Sequence, residues 1–128
     1  EHSSAASDVY KRQNYELDCK NPVTIHWNKS DTGSHTVIAV SSERIGVDIE
    51  TMKERPFYKI SKRYFDSHEV TANKLFFYDT WTRKEAYTKW KKEKIAVNMK
   101  GCVKRDAWGR DMIPLEGLPD NVIGYICC

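Results

Sequence analysis

Two carboxylates stand two residues apart in the segment Gly46-Val47-Asp48-Ile49-Glu50. On a strand, residues i and i+2 leave the same face, so Asp48 and Glu50 share one small volume while Val47 and Ile49 enter the other side. Like charges that close repel unless water, a base or a cation offsets them, and the hard Mg²⁺ ion favours oxygen ligands of this kind. The plain alternative for a bare Asp-x-Glu pair is a half-exposed strand with a solvated outer face. A second group lies in Trp81-Thr82-Arg83-Lys84-Glu85-Ala86-Tyr87-Thr88-Lys89, within a stretch free of Gly and Pro. In a helix, Phe77, Trp81, Glu85 and Lys89 step by four and form one continuous stripe. Its aromatic half can pack on a sheet while Glu85 and Lys89 reach past the edge, bringing a third carboxylate and a cation toward Asp48 and Glu50. The alternative is an ordinary i,i+4 Glu–Lys pair on a solvated helix, worth a few tenths of a kcal/mol.

These groups need a strand and a helix to carry them, and the sequence predicts both. Val23 to Trp27 reads as a strand, followed by the turn formers Asn28 to Gly33. His35 to Val40 and Arg44 to Glu50 are β-prone around a possible turn at Ser41 to Glu43, which predicts an antiparallel hairpin between them. Phe57 to Phe65, after Pro56, reads as a short helix. Asp66 with Glu69 three residues on has the form of a capping box, which predicts one long helix from there to about Lys92. From Val97 onward, β-prone runs at Gly101 to Lys104 and Val122 to Cys127 alternate with turns at Gly109, Pro114, Gly117 and Pro119. The order predicts an α+β fold, an antiparallel sheet packed against one long helix, without repeats or an internal linker.

Composition sets the outer limits. The chain has 128 residues, a length suited to one core, and is 40% hydrophobic and 30% charged, which argues against a chain that is disordered throughout, a collagen-like fibre or a low-complexity linker. Its apolar runs are too short to span a bilayer, and a net charge of +3 is too mild to mark a nucleic-acid binder but permits an anionic ligand. Cys19, Cys102, Cys127 and Cys128 have neither CxxC nor zinc-finger spacing, which fits reduced thiols in a cytoplasm. His26, His35 and His68 lack metal-ligand spacing, and no phosphate-binding glycine loop is present. Ser7 to Gln13 has the look of a non-native segment, so residues 1–13 are expected to be a tail and 14–128 a single domain.

The order Gly46 to Glu50, then Phe65-Asp66-Ser67-His68-Glu69, then Trp81 to Lys89 resembles the 4'-phosphopantetheinyl transferases of the larger, surfactin-synthetase-activating type. That family carries a Gly-(Ile/Val)-Asp-(Ile/Val)-Glu strand followed by a Trp-(Ser/Thr)-x-Lys-Glu-x-x-x-Lys helix, and both stand here without substitution. The resemblance is strongest over residues 28–95. It implies that Asp48, Glu50 and Glu85 hold Mg²⁺ against the pyrophosphate of coenzyme A, that Lys89 neutralises phosphate charge, and that Trp81 and Lys84 support the site. Glu85 and Lys89 become the catalytic pair. The implied reaction moves the phosphopantetheine arm of coenzyme A onto a serine of an apo acyl or peptidyl carrier protein, in a cytoplasmic enzyme without nucleic-acid or membrane partners.

Two departures accompany the resemblance. The family's enzymes are about twice as long, and their first half has no counterpart upstream of Asn28, so the chain is expected to be a fragment or to complete its site as a homo-oligomer. Ser30-Asp31-Thr32 stands where the family commonly has Ser-His-Ser; this assigns Ser30 and Asp31 to the coenzyme A site with Asp31 replacing a phosphate-binding histidine. The glycines usual after the signature lysine are also absent, residues 91–94 reading KKEK. The competing reading is a non-catalytic interaction module, or an inactive half, whose basic aromatic helix binds an acidic protein or nucleic acid.

Overall fold

The computed structural model describes residues 24–103 and 111–128. The tail expected over residues 1–13 lies outside them, as does Lys104. The elements run β1 (His26–Thr32), β2 (His35–Ser41), β3 (Gly46–Thr51), α1 (Phe57–Tyr64), a 3-10 turn (Ser67–Glu69), α2 (Lys74–Lys91), α3 (Ile95–Asn98), β4 (Met112–Pro114) and β5 (Val122–Cys127). This is an α+β architecture in which the long helix α2 packs on β3 and β5. Among the described residues, no helix is long and apolar enough to cross a membrane.

Strand pairing differs from the expected hairpin of residues 35–40 with 44–50. β2 pairs antiparallel with β1, from His26 opposite Ser41 to Thr32 opposite His35, and β3 is the outer strand of a three-stranded sheet ordered β3-β5-β4. The two-residue turn at Gly33-Ser34 closes the β1–β2 ribbon locally; Gly33 takes a φ of 59°, open to glycine at little cost. The turn-rich stretch Asn28 to Thr32 is therefore strand. Its polar residues alternate, so that Asn28, Ser30 and Thr32 point together toward β3.

The helix start also differs. Asn73, whose Oδ1 accepts the Phe76 N–H at 2.8 Å, caps α2, while Asp66 caps only the short 3-10 turn by accepting from the His68 N–H. Glu69 does not turn back to complete a capping box. Its carboxylate is drawn inward to Lys84 Nζ at 2.7 Å and accepts the Val103 N–H at 2.8 Å, and Val70 then leaves in extended conformation. The strand expected at Gly101 to Lys104 is absent over Gly101–Val103, whose backbone serves these buried partners instead.

Packing fixes α2 on the sheet. Phe57, Phe65, Phe77 and Tyr78 form an aromatic cluster between α1 and α2, with Phe65 and Phe77 stacked at 5.2 Å. Ala86, Tyr87, Tyr125 and Cys127 form a second cluster under the C-terminal half of α2. Each large side chain so buried stabilises the fold by about 1.5–3 kcal/mol relative to exposure. At Gly46 the helix backbone comes closest. A Cβ there would stand 2.3 Å from the Ala86 carbonyl oxygen and 2.5 Å from the Trp90 nitrogen, so only glycine admits α2 at this distance.

Candidate active site

Gly46, Asp48 and Glu50 share the β3 face that looks toward α2, and Val47 and Ile49, at 0% and 1% exposure, fill the opposite face. The close approach at Gly46 lets a helix stripe lie directly along the carboxylate face. Trp81, Glu85 and Lys89 reach that face from α2. The Trp81 indole N–H donates to Glu50 Oε2 at 3.1 Å, and its ring stacks nearly parallel with Phe77 at 6.4 Å. Lys89 Nζ stands 3.5 Å from Asp48 Oδ1 and donates to the Val47 carbonyl at 3.0 Å and the Lys29 carbonyl at 3.2 Å, which ties β3 to β1.

The electrostatics follow from this crowding. Burial first, and then the negative charge of Glu50, push the Asp48 carboxyl from its ordinary value up to about 9, against the pull of Lys89. Glu85 is raised by burial and by Glu50, again opposed by Lys89. Among the described residues Asp48 Oδ2 is buried and receives no N–H or hydroxyl hydrogen bond, while a hydrogen bond between the Asp48 and Glu50 carboxyl groups adds to the rise. Three acidic side chains facing one cation, with an unsatisfied carboxylate oxygen among them, form a donor set suited to a hard divalent ion. As they stand, the described residues hold no group of three or more His, Cys, Asp or Glu side chains placed to hold a metal ion.

Other residues singled out in the sequence fall elsewhere. Lys84 is 0% exposed, paired with Glu69, donating to the Gly101 carbonyl and lying 5.1 Å over the Phe65 ring. One residue along a helix is a rotation of 100°, so Lys84 shares the buried Thr80 and Thr88 side of α2 rather than the Glu85 stripe. Asp31 is exposed on the outer face of β1. It accepts from Thr36 Oγ1 at 2.5 Å, which with Lys29 Nζ at 3.7 Å holds its carboxyl below the usual range. Ser30 points inward instead, and its hydroxyl lies between β1 and β3, 3.2 Å from Asp48 Oδ1.

Two groups escape a reading of the sequence. Asn28 Oδ1, Ser30 Oγ and Thr32 Oγ1 accept the backbone N–H groups of Val47, Ile49 and Thr51 at 2.8, 3.0 and 3.1 Å. The signal was available as polar residues at i, i+2 and i+4, hidden by their turn-forming types. On the neighbouring strand β5, Tyr125 is the cross-strand partner of Asp48 on the same α2-facing side and donates its hydroxyl to Asp79, which also pairs with Arg83 at 3.0 Å. Burial and the Asp79 bond raise the Tyr125 hydroxyl. Nothing local in sequence links residues 46 positions apart.

A family model described as the 4'-phosphopantetheinyl transferase superfamily matches residues 44–117. A protein of Synechocystis sp., provisionally named a 4'-phosphopantetheinyl transferase, is 36% identical over 73 residues, covering 49% of this chain and 30% of its own length. A 4'-phosphopantetheinyl transferase of Bacillus subtilis is 36% identical over 73 residues, covering 51% of this chain and 32% of its own. The match thus spans under a third of each relative.

Proposed function

Since the chain belongs to the 4'-phosphopantetheinyl transferase superfamily, we propose that its β3–α2 seam transfers the phosphopantetheine group of coenzyme A to a serine of an apo acyl or peptidyl carrier protein with the help of Mg²⁺. The observation that carries the reading is the meeting of Asp48, Glu50 and Glu85 with Lys89, where one buried carboxylate oxygen has no donor. Asp48, Glu50 and Glu85 would hold the ion, which when bound supplies charge neutralisation to a pyrophosphate.

In the reaction the serine oxygen forms a bond to the phosphorus that carries the pantetheine arm, and the phosphoanhydride bond breaks. Adenosine 3',5'-bisphosphate leaves with the electron pair. Transfers of this kind need positioning and charge compensation more than covalent assistance. Lys89 is suited to both tasks, since two backbone carbonyls fix its ammonium beside Asp48. Glu85 is suited to accept the serine proton, because burial and the neighbouring Glu50 raise its affinity for protons above that of an ordinary carboxylate. Trp81 holds Glu50 in place through its indole N–H. The coenzyme A contacts that lie outside this stretch in longer relatives would come from additional chain or from a second copy.

The test is mass spectrometry of an apo carrier protein incubated with this chain, coenzyme A and Mg²⁺. A phosphopantetheine mass increase is expected, and its absence across carriers of several pathways, in dimeric as well as monomeric samples, would overturn the proposal. Ion-independent, salt-sensitive binding to acidic proteins in its place would favour the interaction-module alternative.

A further inference from the structure

We infer that Ser30 is a positioning residue for Asp48, the middle rung of a side-chain ladder that stands where β1 would otherwise pair with β3 through its backbone. The inference rests on the reading that Asp48 holds a divalent cation. In an ordinary sheet the outer N–H groups of a strand meet carbonyls of a neighbour about 4.8 Å away. Along β3 those groups, from Val47, Ile49 and Thr51, meet the side-chain oxygens of Asn28, Ser30 and Thr32. β1 therefore stands off by one side chain, and the gap is lined by groups able to do more than accept.

The three rungs differ in what they can give. Asn28 presents its amide oxygen to Val47, while Thr32 shares a hydrogen bond of 2.9 Å with the Thr51 hydroxyl. Ser30 alone of the three faces a carboxylate. Its oxygen accepts the Ile49 N–H at 3.0 Å, which commits a lone pair and orients the hydroxyl, and its single proton goes to Asp48 Oδ1 at 3.2 Å. Ser30 and Asp48 are each 4% exposed, so water does not compete for this bond. Lys89 Nζ also approaches Oδ1, at 3.5 Å.

Both donors thus act on the same carboxylate oxygen, and Oδ2 is buried without an N–H or hydroxyl donor among the described residues. The arrangement fixes the plane of the carboxylate, and Oδ2 is the oxygen that neither donor occupies. A hydroxyl anchored to the adjacent amide, Ile49 N–H, makes the orientation of Asp48 depend on the register of β1. Ser30 acts through Asp48 and does not itself touch the ion.

The experiment is a Mn²⁺ titration followed by electron paramagnetic resonance, with and without coenzyme A, on the full chain and on Ser30→Ala, Ser30→Thr and Thr32→Val, each read below its own unfolding temperature. Ser30→Ala should weaken Mn²⁺ binding by about tenfold or more, the range seen when groups that orient a metal ligand are removed. Ser30→Thr, which keeps the hydroxyl, should restore binding. Thr32→Val removes a rung that bears no carboxylate, so it should lower stability and leave Mn²⁺ affinity unchanged. Should Ser30→Ala fail to fold, Ser30→Cys, with its weak donor, replaces it and must also bind Mn²⁺ more weakly. Unchanged affinity in the folded Ala or Cys variant, an equal loss in Thr32→Val, or no Mn²⁺ binding by the parent chain would each overturn the inference. Failure of transfer to carrier proteins alongside Ser30-dependent Mn²⁺ binding would instead refute the transferase proposal and leave the positioning role standing.

Discussion

Replacing Asp48 by Asn removes the charge from a side chain only 4% exposed while keeping its volume and the Oδ1 acceptor for Ser30. The Asp48 carboxyl is pushed up to about 9 by burial and then by Glu50, against an ordinary value of 3.8. The native state therefore holds a proton that the unfolded chain has released. Stability from this group is complete below about pH 4 and is lost as the pH rises toward about 9. One pKa unit is 1.36 kcal/mol, so the roughly three units between the ordinary value and pH 7 set a ceiling of about 4 kcal/mol. The new amide must also find an acceptor where Oδ2 had no donor, and Lys89 loses its partner 3.5 Å away. A net gain of about 1–3 kcal/mol at pH 7 is expected for Asp48→Asn without metal. Urea denaturation in EDTA, followed by tryptophan fluorescence between about pH 5 and 8, measures it, and the gain should widen with pH. Added Mg²⁺ should stabilise only the parent, by about 2.7 kcal/mol at a hundredfold excess over its dissociation constant. A variant less stable than the parent at pH 7 without metal, or a difference that does not vary with pH, would refute the reasoning.

Glu85→Gln is expected to lower carrier-protein modification by about 10²–10⁴-fold, the usual worth of a general base; a rate within a few-fold of the parent's would remove Glu85 as the base. Gly46→Ala drives a Cβ into the α2 backbone at 2.3 and 2.5 Å and should cost about 3 kcal/mol or more, measured as a shift in urea midpoint; a loss below about 1 kcal/mol would mean that the helix can retreat. Glu69→Ala strands the fully buried Lys84 ammonium and should cost about 3–5 kcal/mol, most of it recovered in the double variant Glu69→Leu with Lys84→Met; equal stability of the single variant and the parent would show the pair to be dispensable. Asp31→His should raise the preference for coenzyme A over its 3'-dephospho form in calorimetry, since it exchanges an acid held ionised by Thr36 for a hydrogen-bond donor; an unchanged preference would place Asp31 away from the ligand.

The chemistry-bearing segments and the faces on which they lie follow from local sequence alone. Strict alternation in Gly46 to Glu50 put both acids on one side of a strand, and the four-residue step from Phe77 to Lys89 put an acid and a base on one helix stripe, because these periods are properties of the backbone. It also supplied the resemblance that the family match over residues 44–117 bears out. Tertiary structure decided how the segments meet. Local capping and hairpin rules favoured a helix from Asp66 and a pairing of residues 35–40 with 44–50, yet Glu69 is withdrawn to pair with Lys84 and the two edges of β3 are taken by β5 and by the rungs of β1. Those outcomes depend on partners 15 positions away, as Lys84 lies from Glu69, or 77, as Tyr125 lies from Asp48. Turn-forming Asn28, Ser30 and Thr32 could be read as strand only once a row of unpaired N–H groups stood opposite them. Buried polar groups must find partners, and the fold, not the local sequence, determines which are within reach.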